Sequence, residues 1–437
     1  FIGTMSESSK FDFTQFMLWY DQSGTPVIEV RIQFSDDKKT LFVALTQKTS
    51  NKRTGGKKEP MCIPLSIGLV HPDKGPIETI LNTHKTPPSL THKVVLTKTK
   101  STLHFSNLPD DTPPVITLNR NFTSPVKLNI QRTPEELSTI MKLDPDLFSR
   151  WDAAHEMSLS IISNRVQNNE NYDLTKKFIT AFNYVLKTEY SDLAAKAEIM
   201  RLPNEEIIKN SFKQIEPIKI YNSTQWLSQK IVTELFDQLL KSYRSLQNNQ
   251  EYSTSYIQAS YRSLKNTLLQ YLSWDTTHGL ELAYKQYEKS SNMTDRLAAL
   301  QALNNHKSPL RKKALDNFQE RYCNDQLVLD KWLFLEASHP YTDTLDRVKN
   351  LLSHTSFNIE NPNKIRSLLG TFANYNATAF HNTSGQGYKF IADQVIIIDK
   401  FNPQASARLA SAFQQWSNYK ESYSVLMKNE LIRIINT

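Results

Sequence analysis

The pair His155-Glu156 is the part of the sequence whose residue types could do metal chemistry. It stands in the stretch RWDAAHEMSLS (150–160) and is half of H-E-x-x-H, the zinc-protease signature. That signature needs a second imidazole at i+4, so that two ligands on one helix face reach one zinc ion while the glutamate activates its water. Position 159 is leucine. We therefore predict that His155 packs among the apolar residues of its helix and is not a metal ligand; these residues are Phe148, Trp151, Leu159, Ile162 and Val166.

The composition is that of an ordinary globular protein. The 437 residues are 39% hydrophobic and 22% charged, and the longest strongly apolar run, 395–398, is far too short to span a bilayer. The two cysteines, Cys62 and Cys323, are far apart and form neither a disulfide framework nor a C-x-x-C metal pair. These features predict a cytoplasmic protein with no membrane partner.

The net charge of +8 raises the possibility of a nucleic-acid partner. The densest basic stretch is NKRTGGKKEP (51–60), whose two glycines and closing proline are typical of a turn between strands. No aromatic platform or basic helical stripe accompanies it, and stacking of bases on aromatic rings is what single-stranded nucleic acids usually require. We predict no nucleic-acid partner.

The elements that must hold any site change character near residue 132. Six of the ten glycines lie in the first 130 residues, where apolar residues alternate with period two, as in PVIEVRIQF (26–34). From Thr133 the period becomes helical, beginning with the capping sequence TPEELSTIM. The sequence predicts a small antiparallel Ig-like β-sandwich followed by a large all-α superhelical array of HEAT-like character. We place the boundaries at 1–25, 26–131 and 132–437.

The segment before the first strand carries a resemblance. Residues 12–30 contain W-x-x-Q-x-G-x-P-V, formed by Trp19, Gln22, Gly24, Pro26 and Val27. This resembles the segment that closes the catalytic domain and enters the β-sandwich in the M1 family of zinc aminopeptidases, in its bacterial branch. Five later stretches resemble the C-terminal half of those enzymes in the same order: DLFSRWDAA (146–154), NMTDRLAAL (292–300), VLDKWLFLEAS (328–338), NPNKIRSLLGTFANYNATAFH (361–381) and NPQASARL (402–409).

The resemblance implies that residues 1–25 are the C-terminal tail of a catalytic domain. It also implies that the helical domain encloses the substrate chamber. Residues 8–20 should then form an apolar helix that lies on the rest of the chain or joins a second copy. The family's H-E-x-x-H and G-A-M-E-N motifs are absent. We therefore expect the C-terminal, non-catalytic half of an aminopeptidase that removes N-terminal residues from peptides. Zinc would bind only in the full-length enzyme, and this chain alone would be inactive.

The resemblance also implies a substrate-binding set in the helical domain, consisting of Arg366, Gln404 and Arg408. An arginine suits the free carboxylate of a short peptide because its planar fork can bind both oxygens. Gln404 and Arg408 are four residues apart, so they share one helix face. In the alternative interpretation, both arginines pair with carboxylates of neighbouring helices. The expected partners are the peptide and the catalytic domain of the same chain, and the alternative function is a free-standing helical scaffold for protein partners.

Overall fold

The computed structural model describes residues 1–49, 58–84, 87–109, 112–247 and 251–437. The chain forms two compact units. The first consists of Phe1–Met157, Tyr172–Thr188 and Glu198–Met200, and the second of Ser158–Asn171, Glu189–Ala197 and Arg201–Thr437. Most of the basic stretch 51–60 lies outside the described residues.

The strands of the first unit form two sheets. They are Val27–Phe34 (β1), Leu41–Lys48 (β2), Ile63–His71 (β3), Gly75–Ile77 (β4), Ile80–Leu81 (β5), His92–Leu96 (β6), Lys100–Ser106 (β7), Val115–Leu118 (β8) and Lys127–Asn129 (β9). One sheet has the order β5-β7-β2-β1-β9, and in the other β3 pairs with β4, β6 and β8. Every described pairing is antiparallel except β1 with β9, which is parallel.

The two sheets share one apolar core, to which both contribute alternate residues. Ile28, Val43 and Phe105 come from the first sheet, and Ile67 and Ile116 from the second, and all five are buried. The predicted β-sandwich is therefore confirmed. Strand β7 follows the same alternation, since only Leu103 and Phe105 among its residues are buried.

The N-terminal segment is held on the sandwich by side chains, and the prediction of a helix over residues 8–20 is wrong. The helices here are Ile2–Ser9 (α1) and Leu18–Asp21 (α2), with a non-helical stretch between them. Asp12 accepts a hydrogen bond from the Thr14 N–H (2.9 Å), which competes with helix formation. Gln15 Nε2 donates to the backbone carbonyls of Pro60 (2.8 Å), shortly before β3, and Thr97 (2.6 Å), directly after β6.

The W-x-x-Q motif has a structural explanation in the same place. Trp19 Nε1 donates to the carbonyl of Cys62 (2.8 Å), and Gln22 exchanges two hydrogen bonds of 3.0 Å with the backbone of Glu59. Gly24 has φ 97°, a conformation that glycine adopts without strain. The motif therefore joins this segment to the start of β3.

The regular elements that the structure describes after β9 are helices. They are Pro134–Leu143 (α3), Leu147–Val166 (α4), Tyr172–Lys187 (α5), Leu193–Met200 (α6), Glu205–Lys209 (α7), Pro217–Ser245 (α8), Tyr256–Leu272 (α9), Gly279–Lys289 (α10), Met293–Asn304 (α11), Pro309–Arg321 (α12), Gln326–Ser338 (α13), Thr344–Leu351 (α14), Pro362–Ile365 (α15), Thr371–Tyr375 (α16), Ala377–Phe380 (α17), Gln386–Asp399 (α18), Pro403–Ala410 (α19) and Glu421–Ile435 (α20). Helix α3 begins with the predicted capping box: Thr133 Oγ1 accepts from the Glu136 N–H (3.2 Å), and Glu136 Oε2 from the Thr133 N–H (2.7 Å).

In the second unit, successive helices pack on near neighbours, as α8 does on α9, α10 on α11 and α12 on α13. This is the packing of helical repeats, and it confirms the predicted fold class. No helix of the described residues is long and apolar enough to cross a membrane.

Two buried histidines make the second unit sensitive to acid. Burial lowers the pKa of His306 to about 4 and, with Arg311 nearby, that of His339 to about 3. Both rings are therefore neutral in the folded chain, whereas in the unfolded chain they take up protons below about pH 6.5. The stability that they contribute is present above pH 6.5 and is lost as the pH falls towards 4.

Replacing His306 by leucine should remove part of this pH dependence. The ring lies 4.8 Å from that of Trp274, and Nε2 has no hydrogen-bond partner among the described residues. Between pH 7 and 5, the native chain should lose about 1–2 kcal/mol more stability than His306→Leu, measured by urea unfolding at the two pH values. Equal losses in both proteins would show that His306 is not protonated on unfolding.

Candidate functional site

Arg366 begins a single turn of π-helix, Arg366–Gly370, which lies between two short helices and is called the π-turn below. Asn361 caps α15 by accepting the Asn363 N–H (2.9 Å), and Pro362 occupies the first position of that helix. The π-turn Arg366–Gly370 follows, and the Thr371 N–H donates to the carbonyl of Arg366. Such turns occur often at functional sites, because the extra residue redirects the side chains around it. The side chain of Arg366 is exposed.

Gln404 and Arg408 lie on α19, as their spacing predicts. Pro403 is at the start of this helix, and Asn402 caps it by accepting the Ala405 N–H (3.0 Å). The opposite face carries the buried Ser406, whose hydroxyl donates to the carbonyl of Val395 on α18 (3.0 Å). This anchoring leaves Gln404 and Arg408 exposed, one turn apart.

The tertiary structure brings the two elements together. Helix α19 packs against the π-turn Arg366–Gly370, although the two are separated in sequence by α16 to α18. Neither Arg366 nor Arg408 forms an ion pair with any other residue that the structure describes. That all three side chains bind a peptide remains a prediction.

The long stretch 361–381 also contains residues whose part is structural. Asn376 is buried; its Nδ2 donates to the carbonyls of Ala337 (2.9 Å) and His339 (2.7 Å). His381 is buried beside Tyr388, with Nδ1 and the hydroxyl 2.8 Å apart, and burial holds the pKa of His381 well below its usual range. Asn376 therefore connects the start of α17 to the end of α13, and His381 connects the end of α17 to α18.

Helix α4 carries the His155-Glu156 pair. The ring of His155 lies against that of Trp151, with centroids 4.4 Å apart and an interplanar angle of 40°, and position i+4 holds leucine. Glu156 lines a small cavity together with Arg132, and burial raises the pKa of the Glu156 carboxyl while the guanidinium opposes this. Within the described ranges, no three His, Cys, Asp or Glu side chains come together as metal ligands.

The second unit also has an open groove of about 520 Å³, where α8 is kinked at Leu235. Phe236 and Trp274 line it, together with Asp275 and His278. The oxygen Oδ1 of Asp275 already accepts the N–H groups of its own turn. None of the three predicted binding residues lines this groove.

Comparison with known proteins relates the whole chain to peptidases. Residues 24–131 match a family model described as a domain of unknown function (DUF3458) with an Ig-like fold, and residues 134–437 one described as a domain of unknown function (DUF3458_C) with ARM repeats. Aminopeptidase N of Haemophilus influenzae is 33% identical over 99% of this chain and 49% of its own length. Aminopeptidase N of Escherichia coli is 32% identical over 96% of this chain and 48% of its own length.

A solved structure shows the same fold. It is the crystal structure of Legionella pneumophila aminopeptidase A in complex with aspartic acid, which aligns with a TM-score of 0.82 and 24% identity. The alignment includes 100% of this chain and 50% of the chain of that structure. The chain thus spans about half the length of the curated relatives it matches.

Proposed function

This chain belongs to the family of DUF3458 Ig-like and ARM-repeat domains, and we propose that it is the C-terminal part of an M1 aminopeptidase. In this proposal it is the non-catalytic half of a zinc enzyme that removes N-terminal amino acids from peptides. The observation that carries the proposal is the likeness to aminopeptidase N along 96–100% of this chain. A free-standing scaffold would give no reason for that likeness. The two distant cysteines, one buried and one exposed, support a cytoplasmic location.

In this proposal the helical unit lines the part of the substrate chamber that receives the peptide beyond the scissile bond. Arg366 and Arg408 bind the free carboxylate of a short peptide, and Gln404 donates to it or to a backbone carbonyl. Support comes from the packing of α19 on the π-turn and from the exposure of all three side chains. An arginine without an internal ion pair is available to a ligand carboxylate.

Zinc is the cofactor that the proposal implies for the complete enzyme. The residues described here do not fit a zinc site, because the histidine, cysteine and carboxylate side chains do not cluster in threes. We therefore assign the metal chemistry to the catalytic half and derive no step through zinc in this chain.

The proposal predicts a difference between this chain alone and the same chain joined to its catalytic half. Alone, it should bind no stoichiometric zinc and should not hydrolyse an alanyl chromogenic substrate, since H-E-x-x-H is missing. Joined to the catalytic half, it should contain one zinc ion and turn the substrate over. Metal analysis and a hydrolysis assay on both proteins test this, and one zinc ion with turnover in the chain alone would refute the assignment.

A further inference from the structure

A buried ion pair lies directly behind the π-turn that bears Arg366. The ammonium of Lys364, on α15, is 2.9 Å from Oδ1 of Asp330, on α13, and the side chains are 3% and 15% exposed. Lys364 Nζ also donates to the carbonyl of Gln326 (3.0 Å). Lysine is seldom buried this completely, since its charge must give up water.

The pair restrains the rotation of α15 about its own axis. Successive residues of a helix are about 100° apart, so Lys364 and Arg366 project to nearly opposite sides. The ammonium is held on the α13 side, and Arg366 is exposed. Any rotation of α15 that moved Arg366 would also pull Lys364 away from Asp330 and Gln326.

The carboxylate of Asp330 depends on this contact. Asp330 Oδ1 receives no well-aligned hydrogen bond from the described residues, so the attraction of the Lys364 ammonium is its main compensation. Replacing a buried ion pair by apolar side chains of similar volume is often neutral or stabilising, so stability alone gives little reason for such a pair. Because the contact between Lys364 and Asp330 is directional and depends on charge, it is better explained by the orientation that it gives to the residues next to it.

We propose that the Lys364–Asp330 ion pair is a positioning device, which sets the direction in which Arg366 meets the carboxylate of a bound peptide. Lys364 and Asp330 do not touch the substrate themselves, and they act through the start of the π-turn. This inference rests on the proposed function, because it assumes that Arg366 binds the peptide.

The test compares peptide selectivity in the complete enzyme. For each variant, kcat/KM is measured on a tripeptide with a free carboxylate and on the same tripeptide as its C-terminal amide. The ratio of the two values is the readout, because a loss of folded protein lowers both values equally and leaves the ratio unchanged. The variants are Lys364→Met/Asp330→Asn, which removes both charges at nearly constant volume, and Lys364→Arg, which keeps the charge.

We expect the acid-to-amide ratio to fall by about tenfold in Lys364→Met/Asp330→Asn, mainly through KM, as for the loss of one aligned charge-assisted hydrogen bond. In Lys364→Arg it should stay near the native value. The matched control is Lys265→Met/Asp295→Asn, which removes another mostly buried Lys–Asp pair, with 2.6 Å between Nζ and Oδ2, on α9 and α11. That control should leave the ratio unchanged.

Arg366→Ala separates the inference from the proposed function. If Arg366→Ala lowers the ratio while Lys364→Met/Asp330→Asn does not, the positioning role is overturned and the proposed function stands. If Arg366→Ala leaves the ratio unchanged, carboxylate binding by Arg366 is refuted together with the inference. Should the double variant fail to fold, Asp330→Asn alone is measured, and an unchanged ratio there also overturns the positioning role.

Discussion

Replacing Asp144 by alanine should destabilise the first unit by about 3–5 kcal/mol, the cost of leaving a buried charge without its partner. Asp144 Oδ2 accepts a hydrogen bond from Arg120 Nη2 (2.9 Å), and the two side chains are 0% and 1% exposed. Oδ1 of the same carboxylate accepts the Asp146 N–H (2.8 Å). The substitution would therefore strand the guanidinium charge and a backbone donor together.

The surroundings of Arg120 leave it no alternative position. Its guanidinium also donates to the carbonyl of Leu90 (2.6 Å) and to the hydroxyls of Thr91 (2.8 Å) and Thr117 (2.9 Å). It occupies the space beside Gly68, where an added Cβ would come within 1.8 Å of Nη1. Water cannot easily replace the lost carboxylate in so closed a place, so the penalty should be large.

Urea unfolding of the first unit measures the effect. The control is Glu29→Ala, which removes the ion pair with Lys48 on the same sandwich; since Glu29 is 34% and Lys48 61% exposed, the expected cost is at most about 1 kcal/mol. Asp144→Asn keeps the size of the side chain and serves if the alanine variant does not fold. A cost for Asp144→Ala or Asp144→Asn equal to that of Glu29→Ala would show that burial does not strengthen the pair.

Replacing Arg408 by alanine in the complete enzyme should lower kcat/KM for short free-acid peptides. The loss should correspond to about 1–3 kcal/mol of transition-state stabilisation, the range of a charge-assisted hydrogen bond. The same peptides with a neutral C-terminal amide should lose much less, because only the carboxylate accepts the paired bonds of the guanidinium. The reason for choosing Arg408 is its exposure on α19, beside the turn that carries Arg366.

Steady-state kinetics on the acid and amide forms of one peptide decide between a binding and a structural role. Lys312→Ala is the control for removal of an exposed positive charge from the second unit; Lys312 is 78% exposed and pairs only with Asp316 one turn away among the described residues. Lys312→Ala should leave kcat/KM unchanged for both the acid and the amide form. Equal losses on both forms in Arg408→Ala would assign Arg408 a structural role.

Local chemistry was sufficient for the architecture and for the residues at helix starts. The change from period two to a helical period placed the sandwich before the helices, and TPEELSTIM predicted the capping box of α3, because capping involves only neighbours in sequence. The missing imidazole at position 159 excluded a zinc-protease helix for the same reason, since both ligands would lie on one helix. The motifs also indicated the family, and the likeness to aminopeptidase N confirms this.

Other features depended on partners that lie far away along the chain. Nothing near Gly68 in the sequence shows that Arg120 fills its side-chain space, and nothing near Lys364 shows that Asp330 compensates its charge. The resemblance implied a helix over residues 8–20, yet the Gln15 side chain binds the carbonyls of Pro60 and Thr97, and that helix does not form.

The sequence by itself determined which residues have the chemistry to bind a carboxylate, and only the tertiary structure decided which of them find one within the chain. Whether Arg366, Arg408 or Arg120 takes part in an internal ion pair depends on the carboxylates that folding brings to it. Folding brings Asp144 to Arg120, whereas Arg366 and Arg408 meet no carboxylate among the described residues. The physical reason is that a charge interacts with whatever lies within a few ångströms in space, whereas sequence patterns show only neighbours along the chain.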